Sequence, residues 1–256
     1  MIEVIPVPAF QDNYIWLIHN STQSSVAIVD PGDANPVITT LKKLKLTPVA
    51  ILITHHHADH TGGIHKLRDS YDIPIYGPIN ETIPEITFPL KDGDNIEITE
   101  LGAEFEILDV PGHTLGHIAY YGHDRVFIGD TLFLSGCGRL FEGTAEEMYN
   151  SLEKIKALPG KTQIYCGHEY TLDNLRFAKL LEPTNLHITK KIELSKKARN
   201  KNLPTVPGTL NVEKNTNPFL RVQEPCVIAA AEKKIGHKLS NSIDVFSAIR
   251  QWKDTF

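Results

Sequence analysis

The stretch Thr54–Gly63 reads T-H-H-H-A-D-H-T-G-G and places four histidines and an aspartate within positions 55 to 60. It follows V-A-I-L-I-T, Val49–Thr54, a continuous apolar run of the kind a strand buried on both faces shows. Side chains alternate along an extended segment, so His55 and His57 point one way and His56 the other. His55 and His57 are therefore expected to share a metal, with His56 packing or making a supporting hydrogen bond. Asp59 and His60 lie past the strand end, in a turn that can aim neighbouring side chains together. Gly62 and Gly63 permit a tight turn and close backbone approach. A divalent ion takes three or four such ligands. One loop already offers His55, His57, Asp59 and His60, which points to two ions with further ligands elsewhere.

Three residues answer that need. His113 stands in V-P-G-H-T, Asp130 in F-I-G-D-T and His168 in I-Y-C-G-H-E. Each follows an apolar run, at the kind of strand end where functional residues on a sheet commonly sit. His117 reads as a strand residue near the site. His19, His65, His123, His187 and His237 lack such a setting. Imidazole and carboxylate donors suit zinc, iron or manganese, and ligand type alone does not choose.

Outside the cluster, Ile2–Pro6, Tyr14–His19 and Val26–Asp30 read as strands and Pro36–Leu46 as a helix. Strand and turn dominate from Ile86 to Phe133, and Thr144 with Glu147 forms a capping box opening a helix. The expected class is α/β: two sheets with helices outside, an αββα sandwich. The texture changes after Tyr170. Leu172–Leu181, Ile188–Lys201, Val227–Ile235 and Ile243–Lys253 read as helices, and 203–218 is rich in Pro, Asn and Thr. The expected domains are 1–172 for the metal-binding domain and 173–256 for a smaller helical domain.

Charge divides in the same way. Residues 181–256 hold 13 Lys and Arg against 7 Asp and Glu, whereas the first 180 hold 13 against 24. A basic tail on an acidic body implies that the tail meets an anion. Arg250 and Lys253 are spaced i,i+3 on a predicted helix, so both face one way, and arginine suits a carboxylate. The basic run 190–201 carries no aromatics for base stacking, and the acidic body would repel a long polyanion, so no nucleic-acid partner is expected. No apolar run approaches the roughly 20 residues of a membrane span. Cys137, Cys166 and Cys226 are few and odd in number, which fits a reducing compartment. A cytoplasmic monomer without a membrane partner is expected.

The ordered set T-H-H-H-A-D-H, G-H at 112–113, G-D at 129–130 and G-H at 167–168 resembles the metallo-β-lactamase superfamily in its two-metal hydrolase form. The resemblance implies a metallo-β-lactamase-like αββα sandwich with His55, His57 and His113 on one ion, Asp59, His60 and His168 on the other, and Asp130 bridging. More of the chain resembles glyoxalase II, the hydroxyacylglutathione hydrolase family: F-Q-D-N-Y at 10–14, G-D-T-L-F-L-S-G-C-G-R at 129–139, Y-C-G-H-E-Y-T at 165–171, N-P-F-L-R-V at 217–222 and A-I-R-Q-W-K-D at 248–254. That likeness implies two divalent ions, zinc being the expected metal, and a glutathione thioester as the small-molecule substrate. It implies glutathione carboxylates at Arg250 and Lys253, with Arg139 and Tyr170 nearer the metals. Phe141 stands where the family often has tyrosine, so a hydroxyl contact is lost there. A water shared and ionised by the two metals would attack the thioester carbonyl, with Asp59 orienting it. Other readings of the fold are a lactonase, a β-lactamase, a persulfide dioxygenase and a di-iron oxygen reductase. A β-lactamase of this type would usually show Cys in place of Asp130. The dioxygenases usually lack the full second set of ligands.

Overall fold

The computed structural model describes residues 2–256, which form two compact units. One runs through Asp109 and takes in Leu115–Gly129. The other comprises Val110–Thr114 and Asp130–Phe256.

The first unit begins with strands β1 (Ile2–Ala9), β2 (Asn13–Asn20) and β3 (Ser25–Val29), followed by helix α1 (Ala34–Leu44) and strand β4 (Thr47–Leu52). A single turn of helix, α2 (Ala58–Thr61), and helix α3 (Ile64–Ser70) lead to β5 (Ile75–Pro78) and β6 (Phe88–Leu90). These six strands lie in one sheet in chain order. The β1–β2 and β2–β3 pairs are antiparallel, and the rest are parallel. Parallel neighbours need crossovers, and α1 and α3 supply two of them. Val37 and Leu41 of α1 and Ile64 and Leu67 of α3 pack in one core with Ile28, Ile51 and Ile75. The Asp33 side chain caps α1 by accepting from Asn35 N at 2.8 Å.

The unit continues with β7 (Asn95–Ile98), β8 (Ala103–Asp109), β9 (Ile118–Gly122) and β10 (Arg125–Gly129), antiparallel neighbours in a second sheet. The buried Tyr120 hydroxyl of β9 donates to Ile53 O at 2.8 Å just past β4, tying sheet to sheet. Helices, first sheet and second sheet are thus stacked. Because β3 and β4 are parallel neighbours, their carboxyl ends bring Asp30 and the histidine loop to one edge.

The second unit contains the hairpin of β11 (Leu132–Phe133) and β12 (Gly136–Cys137), helix α4 (Ala145–Lys156), strand β13 (Gln163–Cys166), and helices α5 (Thr171–Leu181) and α6 (Leu186–Arg199). Strand β14 (Gly208–Thr209), which pairs with β13, then leads into α7 (Leu210–Thr216), a 3-10 turn at Pro218–Leu220, α8 (Pro225–Ile235) and α9 (Ser242–Asp254). The Thr144 and Glu147 capping box is present on α4. Helix α6 ends before Asn200, earlier than its periodicity indicates, with Asn185 capping its start. The stretch 203–218 contains the short α7, whose entry is fixed by Leu210 N to Thr162 O and Asn211 N to Gly160 O. The buried rings of Phe177, Phe219 and Phe246 fill the helical interior, Phe219 lying 6.2 Å from Phe177 and 5.7 Å from Phe246.

Candidate active site

In the first unit the expected alternation holds. His55 is fully buried, and its Nε2 lies 3.1 Å from His57 Nδ1. His56 turns away, and its Nδ1 meets Glu81 Oε2 at 3.0 Å. Asp59 and His60 sit on α2 rather than in an irregular turn. His60 Nε2 faces Asp59 Oδ2 at 3.5 Å, and Asn13 Nδ2 donates to the same oxygen at 2.9 Å. Gly32 lets the Asp59 backbone come close, since a Cβ there would stand 1.8 Å from Asp59 O. His117 stacks on His55 with centroids 4.6 Å apart and gives its Nδ1 to the Ile118 carbonyl.

Asp30 organises this loop, and sequence reasoning missed it. Its Oδ1 accepts from Thr54 N at 2.8 Å and its Oδ2 from Thr54 Oγ1 at 2.7 Å. Oδ2 also lies 3.1 Å from His60 Nδ1. A carboxylate can only accept, so His60 Nδ1 carries the proton and Nε2 presents its lone pair toward Asp59. Asp30, His55 and His60 offer ligand atoms within 4.8 Å of one another. Asp30 also holds φ at 51°, a left-handed conformation uncommon outside glycine. Asp33 caps α1. Glu169 holds Thr205 through N at 2.8 Å and Oγ1 at 2.5 Å. Partners that orient ligating histidines are worth about 10- to 100-fold in metal affinity. Asp30→Asn is therefore expected to weaken metal binding by about that factor, read by competition with a chromogenic chelator. Unchanged affinity would remove Asp30 from the role.

In the second unit His113, Asp130 and His168 come together. Asp130 Oδ2 lies 3.5 Å from His113 Nε2 and 3.3 Å from His168 Nε2. His113 Nδ1 donates to Arg139 O at 2.8 Å, which again leaves a lone pair at Nε2. A neutral imidazole lone pair facing a carboxylate oxygen is an acceptor facing an acceptor. That arrangement fits a cation between them, and the carbonyl on Nδ1 is the usual support of a ligating histidine. Gly138 is required here, because a Cβ would stand 1.9 Å from Asp130 O and 3.1 Å from His113 Nδ1.

These residues open into a cavity of about 390 Å³, lined by His113, Asp130, Phe133, Arg139, Phe141, Tyr170, Arg250 and Lys253 among others. The Tyr170 ring stacks on His168 at 4.7 Å and 5°, and Phe141 meets the His113 ring edge-on. The Arg139 side chain is 64% exposed, 3.7 Å from Asp254. Lys253 is half-buried, and that burial, with Arg250 nearby, holds its pKa below the usual lysine value. Arg250 differs from the exposed grip its spacing suggests. It is 4% exposed, and its Nη1 donates to Cys137 O at 2.7 Å while Nη2 meets Asp254 at 3.0 Å. Desolvation pushes the buried Cys137 thiol up to about 11 and that of Cys166 up to about 12, so neither is a nucleophile at neutral pH.

Residues 10–168 match the family model described as the metallo-beta-lactamase superfamily, and residues 169–256 match the hydroxyacylglutathione hydrolase C-terminus. The hydroxyacylglutathione hydrolase of Nitrosomonas europaea is 53% identical over 256 residues, covering 100% of this chain and 97% of its own. Among solved structures, the BLEG-1 B3 metallo-beta-lactamase matches 86% of this chain and 99% of its own at 26% identity, with a TM-score of 0.64. TTHA1623, solved in a di-iron-bound form, matches 85% of this chain and 100% of its own at 25% identity, with a TM-score of 0.59. Two adjoining matches and a full-length relative lead to one assignment: the chain belongs to the hydroxyacylglutathione hydrolase family, built on the metallo-β-lactamase fold.

Proposed function

We propose that the chain hydrolyses S-(2-hydroxyacyl)glutathione, with S-D-lactoylglutathione as substrate, to glutathione and the 2-hydroxy acid, the second step of methylglyoxal detoxification. On this reading His55, His57 and His113 hold one divalent ion, Asp59, His60 and His168 a second, and Asp130 serves both. Zinc is the proposed metal. When bound, such a pair of ions acidifies water and polarises a carbonyl. The chain's own residues then orient and bind. Asp59, steadied by Asn13 Nδ2, accepts a hydrogen bond from the attacking water and aims it at the thioester carbon. Arg139 and Lys253 hold the glutathione carboxylates through charge-assisted hydrogen bonds. Phe141 and Tyr170 give the substrate apolar faces. The leaving thiol has an ordinary pKa of about 8.5 and departs without strong acid help. The enzyme is proposed to act as a cytoplasmic monomer.

One observation carries the reading: a single cavity is lined both by His113 and Asp130 and by Arg139 and Lys253. It pairs a metal-ligating end with a cationic one, which suits a substrate with an electrophilic carbonyl and remote carboxylates. The test is loss of the thioester absorbance in zinc-loaded protein, with S-D-lactoylglutathione and with an acyl thioester lacking the glutathione carboxylates. Turnover favouring the first is expected. Equal turnover would move the substrate class, and no turnover in protein shown to hold two metals would overturn the reaction.

A further inference from the structure

The segment Asp130–Arg139 does two jobs at the candidate centre. It begins with the Asp130 carboxylate and ends with the Arg139 carbonyl that accepts a hydrogen bond from His113 Nδ1 at 2.8 Å. Between them runs the β11–β12 hairpin, whose turn residue Ser135 sits at φ 59°. A serine in the left-handed region is strained and needs support.

That support comes from four buried polar side chains of the helical region. Glu213 on α7, with no exposed surface, accepts from Ser135 N at 2.6 Å. Asn217, also fully buried, donates through Nδ2 to Phe133 O at 3.1 Å and Gly136 O at 2.9 Å. Asn174 on α5 donates to Leu134 O at 3.2 Å. Arg250 on α9 donates to Cys137 O at 2.7 Å. Polar partners thus reach the main chain of every residue from Phe133 to Cys137. The Glu213 carboxylate also pairs with Lys191 Nζ, whose side chain is 11% exposed. A buried ion pair is weak evidence for stability, because desolvation offsets much of the attraction. Its direct contact with a strained turn gives it another task.

We propose that Glu213 and Asn217 are positioning residues for the metal centre. By fixing the hairpin they hold Asp130 at one end and, through Arg139 O, His113 at the other. The helical region then completes the metal site as well as binding substrate. The inference rests on Asp130 and His113 being metal ligands, as proposed above.

Two double variants isolate the effect. Lys191→Met/Glu213→Gln and Lys191→Met/Glu213→Leu both delete the buried ion pair, but only the first keeps an acceptor for Ser135 N. Zinc affinity is read by chelator competition, and the melting temperature of the metal-free chain is read alongside. Metal-free chains of similar melting temperature are expected, with zinc held about 10-fold more weakly in the Leu variant. Equal affinity in the two would overturn the proposal. Should the Leu variant fail to fold, Asn217→Ala decides: it removes the bonds to Phe133 O and Gly136 O, and wild-type zinc affinity there would overturn the proposal. Asp130→Asn runs in the same assay. If that variant binds zinc like the wild type, the ligand reading itself fails, and this is distinguishable from failure of the positioning role.

Discussion

Asp130→Ala is expected to release both metal ions together and to lower thioester hydrolysis by about 10³-fold or more. The carboxylate is a single acceptor flanked by His113 Nε2 at 3.5 Å and His168 Nε2 at 3.3 Å. On the proposed reading those histidines serve different ions, so Asp130 is the one side chain in this unit whose loss opens both sites. Lewis-acid stabilisation is worth several kcal/mol, and each 1.4 kcal/mol is about tenfold in rate. The variant also removes the carboxylate oxygen that lies within 3.5 Å of His113 Nε2 and 3.3 Å of His168 Nε2. The check is metal content per chain by atomic absorption, with hydrolysis measured on the same preparation. Two ions per chain in the variant would remove Asp130 from the bridging role. One ion per chain would make it a ligand to one site only.

The part of the site that could be read from sequence is local. The alternation of an extended chain, carried past the end of β4 at Leu52, sends His55 and His57 together and His56 toward Glu81. Gly138 carries no local sign of its importance, since the atoms it admits belong to Asp130 and His113. Asp30 was missed for the same kind of reason. Its partners Thr54 and His60 are 24 and 30 residues away, and only the parallel pairing of β3 with β4 brings them to it. Its left-handed backbone is a mark of strain at a functional site, visible only in the fold. Helix α7 was hidden because seven residues with two asparagines give little periodicity. What fixes it is tertiary: backbone bonds to Gly160 and Thr162, and buried Glu213. The i,i+3 spacing of Arg250 and Lys253 correctly puts both on the cavity wall. Spacing gives no hint that one guanidinium is already bonded to the backbone.

That difference separates the two residues experimentally. Arg250→Ala is expected to act on stability first. It strips the donor from Cys137 O, leaves Asp254 without its 3.0 Å partner and empties the space over the Phe219 ring. Leaving the buried Cys137 carbonyl unpaired costs about 1–3 kcal/mol, or about 5 °C in Tm for a chain of this size. Because Cys137 adjoins Gly138, which packs on Asp130 and His113, kcat should fall as well. Lys253→Ala should instead leave Tm near wild type and raise KM for the glutathione thioester by about 10-fold, the scale of one charge-assisted hydrogen bond. The two variants also differ in pH dependence. The Lys253 pKa lies below the usual lysine value because burial penalises the ammonium, with the Arg250 charge adding to the effect. The ammonium is therefore lost at a lower pH than an exposed lysine would lose it, and KM in the wild type should begin to rise there. The stability sign runs the other way: a lysine whose folded pKa is depressed destabilises the fold below that pKa, and the penalty is relieved as pH rises toward the unfolded value. Alkaline pH should thus weaken substrate binding without unfolding the chain, and Lys253→Ala should flatten that limb of the KM profile, while Arg250→Ala should keep the limb but move it to higher pH, since the Arg250 charge helps to depress the Lys253 pKa. A KM rise in both variants with equal loss of Tm would mean that the two side chains act as one structural unit, and the separate roles assigned here would fall.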